Sequence, residues 1–149
     1  MNNLFNPSDT EQILTRLEKL KPDAQRQWGK MTVNQMLAHC IVSLETAMGR
    51  NFPKRVLIGR LIGRFLKPGI ISENPMPKNA PTDKSYMITG NPDFEHEKRK
   101  VTELIGTFCA AGPAGCTTHP QAFYGKMTPE EYAIMQWKHF DHHLKQFRA

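Results

Sequence analysis

The chain has no apolar run approaching the ~18 residues that a membrane-spanning helix needs. Its opening residues, MNNLFNPSDTEQIL, lack the basic stretch followed by an apolar core that marks a secretory signal. Cysteine is scarce. Cys40, Cys109 and Cys116 cannot all pair with one another, and no CxxC spacing occurs, which argues against a zinc ribbon and a thioredoxin-like motif. Reduced thiols in a reducing compartment follow, and with them the expectation of a soluble cytoplasmic protein. Acidic residues are absent from Arg50 to Lys67, where Arg50, Lys54, Arg55, Arg60, Arg64 and Lys67 match the formal net charge of +6. The basic excess is therefore a property of one segment. Aromatic residues that stack bases are nearly missing from that segment, so nucleic acid is not an expected partner.

With 39% hydrophobic and 23% charged residues the composition is that of a folded globule, not of a disordered chain. At 149 residues it fits one domain, 1–149, with enough length to bury a core. Four segments carry helix signals. The first starts at Ser8-Asp9-Thr10-Glu11, with Ser8 as cap and Glu11 reaching back, and runs to about Lys21, before Pro22. The second starts at the capping box Thr32-Val33-Asn34-Gln35 and stops near Gly49, with Val33, Leu37, Cys40, Ile41, Leu44 and Met48 as its apolar stripe. The third runs from the cap Asp93 to Ala111, before Gly112-Pro113. The last starts at Thr128-Pro129-Glu130-Glu131 and continues to about Phe147.

Between the second and third helices lies a long crossover. Its first part, FPKRVLIGRLIGRFLKPG, predicts a short amphipathic helix broken by Gly59 and Gly63, and the remainder reads as extended loop. The expected fold is all-α: an up-down-down-up four-helix bundle whose crossover carries the amphipathic helix. A basic amphipathic helix can lie on an anionic membrane or bind phosphates. The expectation here is that its apolar side, with Val56, Leu57, Leu61 and Phe65, packs on the bundle or on a partner subunit while the arginines stay in water. The apolar sides of the second helix and of this segment exceed what one four-helix core needs, which points to a homodimer.

Three of the six histidines, His139, His142 and His143, fall within about one turn of the last helix. Residues four apart share a helical face, so His139 and His143 can hold one ion together. Neutral imidazole is a common ligand for zinc, nickel or iron. At ~100° per residue, His143 falls within the arc of Tyr132, Phe140, Leu144 and Phe147, His139 lies at its edge, and His142 points further out. A third ligand is needed, with a fourth position left open for chemistry. His39 is the candidate, although the wheel sets it opposite the apolar stripe of its helix. A helix buried on one face shows His39 to solvent; a helix bordering both core and a polar cleft aims it into that cleft. The alternative is a surface His39 and a solvated histidine-rich terminus.

The segments WGKMTVNQMLAHC, KNAPTDKSYMI and THPQAFYGKMTPEEYAIMQWKHFDHHLKQF together resemble the DinB-like (YfiT-like) superfamily of four-helix bundles, in one of its domain-of-unknown-function branches. The resemblance covers nearly the whole chain. It implies a divalent metal, zinc or nickel, held by one histidine of the second helix and an i, i+4 pair of the last, here His39, His139 and His143. It also implies a metal-dependent transferase or hydrolase acting on a small molecule, with a low-molecular-weight thiol as one class of substrate. A non-catalytic bundle that binds a ligand or partner is the alternative. No carboxylate stands out as general base: Glu131 suits the capping box, and Glu45 and Asp141 suit exposed helix positions. Cys40 lies on the apolar stripe and is expected to be buried. His119, in the His-Pro loop, is a substrate-side candidate, and His96 is read as a surface residue.

Overall fold

A computed structural model describes residues 1–149. Five α-helices form: α1 (Pro7–Lys19), α2 (Val33–Ala47), α3 (Leu57–Ile70), α4 (Phe94–Ala111) and α5 (Pro129–Gln146), with single 3-10 turns at Lys84–Tyr86 and Gly112–Gly115 and no β-strand. The helix starts are chemical. Thr32 accepts from the Gln35 amide while the Gln35 side chain accepts from Thr32, and Thr128 and Glu131 repeat the exchange on α5. Each box satisfies amides that a helix start leaves without partners. Asp93 caps α4 by accepting from the His96 amide. The start of α1 differs from expectation: Asn6, not Ser8, is the cap. Pro7 takes the first helical position, where its missing N–H costs nothing, and this places Ser8 inside the first turn.

α1 lies against α4 and α5, and α2 also lies against α4 and α5, so the helices follow each other around the bundle as α1, α4, α2, α5. Their directions follow from paired contacts. The Leu4 amide donates to the Ala133 carbonyl, and Arg16 pairs with Asp141 at 2.8 Å, so α1 and α5 run parallel. Lys98 donates to the Glu18 carbonyl while the Phe5 ring stacks on Phe108, so α4 opposes α1. Asn34 donates to the Pro92 carbonyl and Glu45 pairs with Lys100, so α2 runs with α4. The up-down-down-up arrangement results. Its core holds Ile13 and Leu17 of α1, Leu37 and Leu44 of α2, Ile105 and Phe108 of α4, and Phe140 and Leu144 of α5. No helix is long and apolar enough to cross a membrane.

The crossover helix departs from expectation twice. Gly59 and Gly63 do not break α3; they form its buried seam. A Cβ on Gly59 would come within 2.6 Å of the Phe123 carbonyl oxygen and one on Gly63 within 2.0 Å, so the α3 backbone lies directly on the segment before α5. Two glycines one turn apart make that approach possible. Once the glycine edge faces inward, the apolar residues must face out. Leu61 is 73% exposed and Phe65 66%, so the apolar side of α3 does not pack on the bundle. Lys67, at its end, pairs with Glu131 at 2.8 Å.

Candidate metal centre

His39 comes from the middle of α2, and His139 and His143 come from one face of α5. Because α2 touches both α4 and α5, it is buried on more than its apolar stripe. The side bearing His39 meets α5, and His39 is 5% exposed. The three imidazoles converge: His139 Nε2 lies 2.9 Å from His39 Nε2 and 3.1 Å from His143 Nε2. One ligand atom from each residue lies within 4.8 Å of the other two.

The outer nitrogens settle which way the protons sit. His39 Nδ1 is 2.8 Å from the Tyr86 carbonyl, which only accepts, so Nδ1 carries the proton. Gln146 Nε2 donates to the Trp28 carbonyl at 2.7 Å, which turns its Oε1 toward His143 Nδ1 at 2.9 Å. His143 Nδ1 is therefore also the protonated nitrogen. Both residues then present bare Nε2 lone pairs to His139. A proton on His139 Nε2 can serve one of those two contacts, and the other leaves lone pair facing lone pair. His139 Nδ1 is buried and has no partner. A cation among the three Nε2 atoms removes this conflict. Nitrogens about 2.1 Å from one ion sit roughly 3.0 to 3.4 Å apart for interligand angles of about 90 to 110°; the 3.1 Å separation falls at the short end of that span and the 2.9 Å separation just below it. The donor set could thus hold a metal ion.

Charge states agree with ligation by neutral imidazole. Burial lowers the pKa of His39, opposed by the hydrogen bond to Tyr86. Burial holds His143 down at about 3, with the neighbouring His39 adding to it. His139 is held well below the ordinary range by burial and then by His143 and His39. All three shifts run in the direction that favours the uncharged imidazole at neutral pH, the form in which histidine binds a metal.

The crossover lies over this cluster. Besides Tyr86, its Ser72 carbonyl accepts from Lys138 Nζ at 2.6 Å, and Lys78 Nζ sits 4.4 Å from the centre of the Trp28 ring. His142 is half-buried, with its ring 5.3 Å from Trp28 and 5.1 Å from His143. It flanks the cluster and stands outside the group of three. Below the histidines, Gln136 and Ser43 tie α5 to α2, with the Gln136 amide donating to Ser43 Oγ at 3.1 Å.

Other sequence candidates lie elsewhere. Exposed His119 points Nδ1 at the Pro120 carbonyl and packs its ring on Phe52. His96 is exposed on the first turn of α4. Cys40 is buried in the core, as expected, and burial raises its thiol pKa. The three carboxylates considered as bases are engaged: Glu131 with Lys67 and its own helix start, Glu45 with Lys100, and Asp141 with Arg16 and Lys145. Among the surface hollows are a polar cleft of about 350 Å³ lined in part by Asp23, Arg26, Asn34 and Asn91, and a crevice lined in part by Phe52, His119 and Tyr132; none of the three histidines lines either of these. Residues missed from sequence are the supports Tyr86, Gln146, Gln136 and Trp28. A signal existed for two of them, because Gln136 and Gln146 lie three residues from His139 and His143 on the same helix.

The sequence model of one family, Protein of unknown function (DUF1569), matches residues 4–149. No curated protein and no solved structure matches the chain.

Proposed function

The chain belongs to the DUF1569 family, and from the histidine cluster inside its bundle we propose that it is a divalent-metal-binding enzyme, a small-molecule thiol transferase or hydrolase. The observation that carries the reading is the convergence of three Nε2 atoms, two of them committed as bare acceptors. His39, His139 and His143 would hold the ion, zinc or nickel, which agrees with the three-histidine pattern of the DinB-like superfamily that the sequence resembles. A bound divalent ion supplies Lewis acidity, which lowers the pKa of a water or small thiol at its free position. The chain's own residues hold the imidazole rings in place. Tyr86 and Gln146 fix the ring orientations, and Gln136 with Ser43 sets the spacing of the two helices. Partners of this kind in metal sites tune affinity by about 10- to 100-fold.

Metal analysis of protein purified without a histidine tag tests this reading. About one zinc or nickel per chain is expected, lost in His139→Ala. No bound metal after incubation with zinc, nickel and manganese would refute it. Consumption of a low-molecular-weight thiol with an electrophilic dinitrophenyl halide, set against ester hydrolysis, separates the two reactions. A second reading, a non-catalytic binding bundle, is favoured by one observation: the carboxylates named as bases are all paired elsewhere. Loss of metal in His139→Ala with no change in any turnover would support that reading.

A further inference from the structure

The outward face of α3 is not explained by the histidine site. Leu57, Ile58, Leu61, Ile62, Phe65 and Leu66 recur at helical spacing, and each is exposed, from 41% at Ile62 to 77% at Leu57. A continuous apolar face of this kind on a folded chain marks an interaction site. The cations fall on one flank of it. At ~100° per residue, Arg60, Arg64 and Lys67 share an arc beside Leu57, and the glycine seam closes the opposite flank against the Phe123 backbone. The Arg64 guanidinium reaches from the charged arc to 4.5 Å from the centre of the Phe65 ring. No acidic residue stands between Arg50 and Lys67.

We propose that α3 is a membrane-surface helix, which inserts its leucine, isoleucine and phenylalanine side chains among the acyl chains of an anionic bilayer while Arg60 and Arg64 engage the lipid phosphates. Charge decides between the occupants. An antiparallel two-fold pairing with a second copy would set Arg60 and Arg64 alongside their own copies, with no acid on α3 to neutralise them. An anionic lipid surface complements both parts of the helix at once. Insertion is in the plane of the surface, since the helix is Leu57–Ile70 and too short to span. Gly59 and Gly63 hold α3 on the body of the protein by its narrow edge, which leaves the apolar face free to enter the headgroup region.

Flotation of the full chain with phosphatidylcholine vesicles, with and without 30% phosphatidylserine, tests this. Binding to the anionic vesicles at least tenfold tighter than to the neutral ones is expected, weakening as salt rises. Each cation near such a surface contributes about fivefold, so the pair Arg60→Glu and Arg64→Glu should cut binding by at least about 25-fold. Leu61→Glu with Phe65→Glu should abolish it. All four side chains are exposed, and unchanged far-ultraviolet circular dichroism in each variant guards against misfolding. Equal binding to the two vesicle types, or none to either, overturns the proposal. So does a dimer, seen by sedimentation, that Leu61→Glu with Phe65→Glu dissolves while vesicle binding is unaltered; that result makes a second copy the occupant.

Discussion

Replacing Gln146 by Leu tests whether the histidine cluster is held as a metal site. Gln146 is almost wholly buried and works at both ends: its Oε1 accepts from His143 Nδ1 at 2.9 Å, and its Nε2 donates to the Trp28 carbonyl at 2.7 Å. Leucine fills similar volume and removes both bonds. His143 is then free to place its proton on Nε2, the nitrogen that faces His139, and that tautomer cannot ligate. The expected loss in zinc affinity is about 10- to 100-fold, read by competition with a chromogenic chelator. Stability should fall as well. Two buried groups lose their partners, at about 1 to 3 kcal/mol each, so a loss of roughly 2 to 6 kcal/mol is expected in urea unfolding of the metal-free protein. Gln146→Glu separates the two effects. It keeps the acceptor for His143 and adds negative charge behind the ligand, so zinc affinity should stay near wild type while the tie to Trp28 is lost. Zinc affinity in Gln146→Leu within twofold of wild type would refute the claim that Gln146 sets the His143 tautomer.

Two further predictions concern the metal-free protein and the crossover helix. Burial holds the three imidazoles neutral in the folded state, His143 down at about 3, whereas the unfolded chain protonates them near the ordinary 6.5. The unfolded state therefore binds more protons in acid; stability is at its full value above about pH 6.5 and falls as pH drops toward the folded-state pKa, by about 2 kcal/mol per fully depressed histidine between pH 6.5 and 5. Urea midpoints at pH 7 and 5, with His143→Phe as comparator, check this; equal stability of the chelated wild type at both values would contradict it. Gly63→Ala gains about 1 kcal/mol of helix propensity but puts a Cβ 2.0 Å from the Phe123 carbonyl oxygen. That clash is with backbone, so overpacking of about 1 to 3 kcal/mol or more wins and α3 lifts. Faster tryptic cleavage at Arg60 and Arg64 with unchanged metal content is expected, and unchanged or slower cleavage would show that the seam is not tight.

The helix boundaries were legible because their determinants are local. A Thr with a Gln or Glu three residues on closes a ring within one turn, so α2 and α5 start where Thr32 and Thr128 stand. Asn6 was missed as the cap of α1 because Ser8 with Glu11 makes an equally good local pattern, and only the place of Pro7 distinguishes them. The pair His139 and His143 was visible for the same reason as the capping boxes: four residues on one helix make a face. His39 was not settled in this way. Its position opposite the apolar stripe allows either solvent or a cleft, and the choice depends on α5 lying along that side of α2.

The amino-acid sequence by itself determined the helices, the basic segment and two histidines of the cluster, since each is a matter of residues within a few positions of one another. Tertiary structure decided three things. It brought His39 to the pair on α5, because helices far apart in sequence pack as neighbours. It supplied Tyr86 and Gln146 as hydrogen-bond partners, which fixes the nitrogens that face inward. It also turned the apolar side of α3 outward, because a pair of glycines allows closer backbone contact than any leucine face, and the closer contact took the inward position.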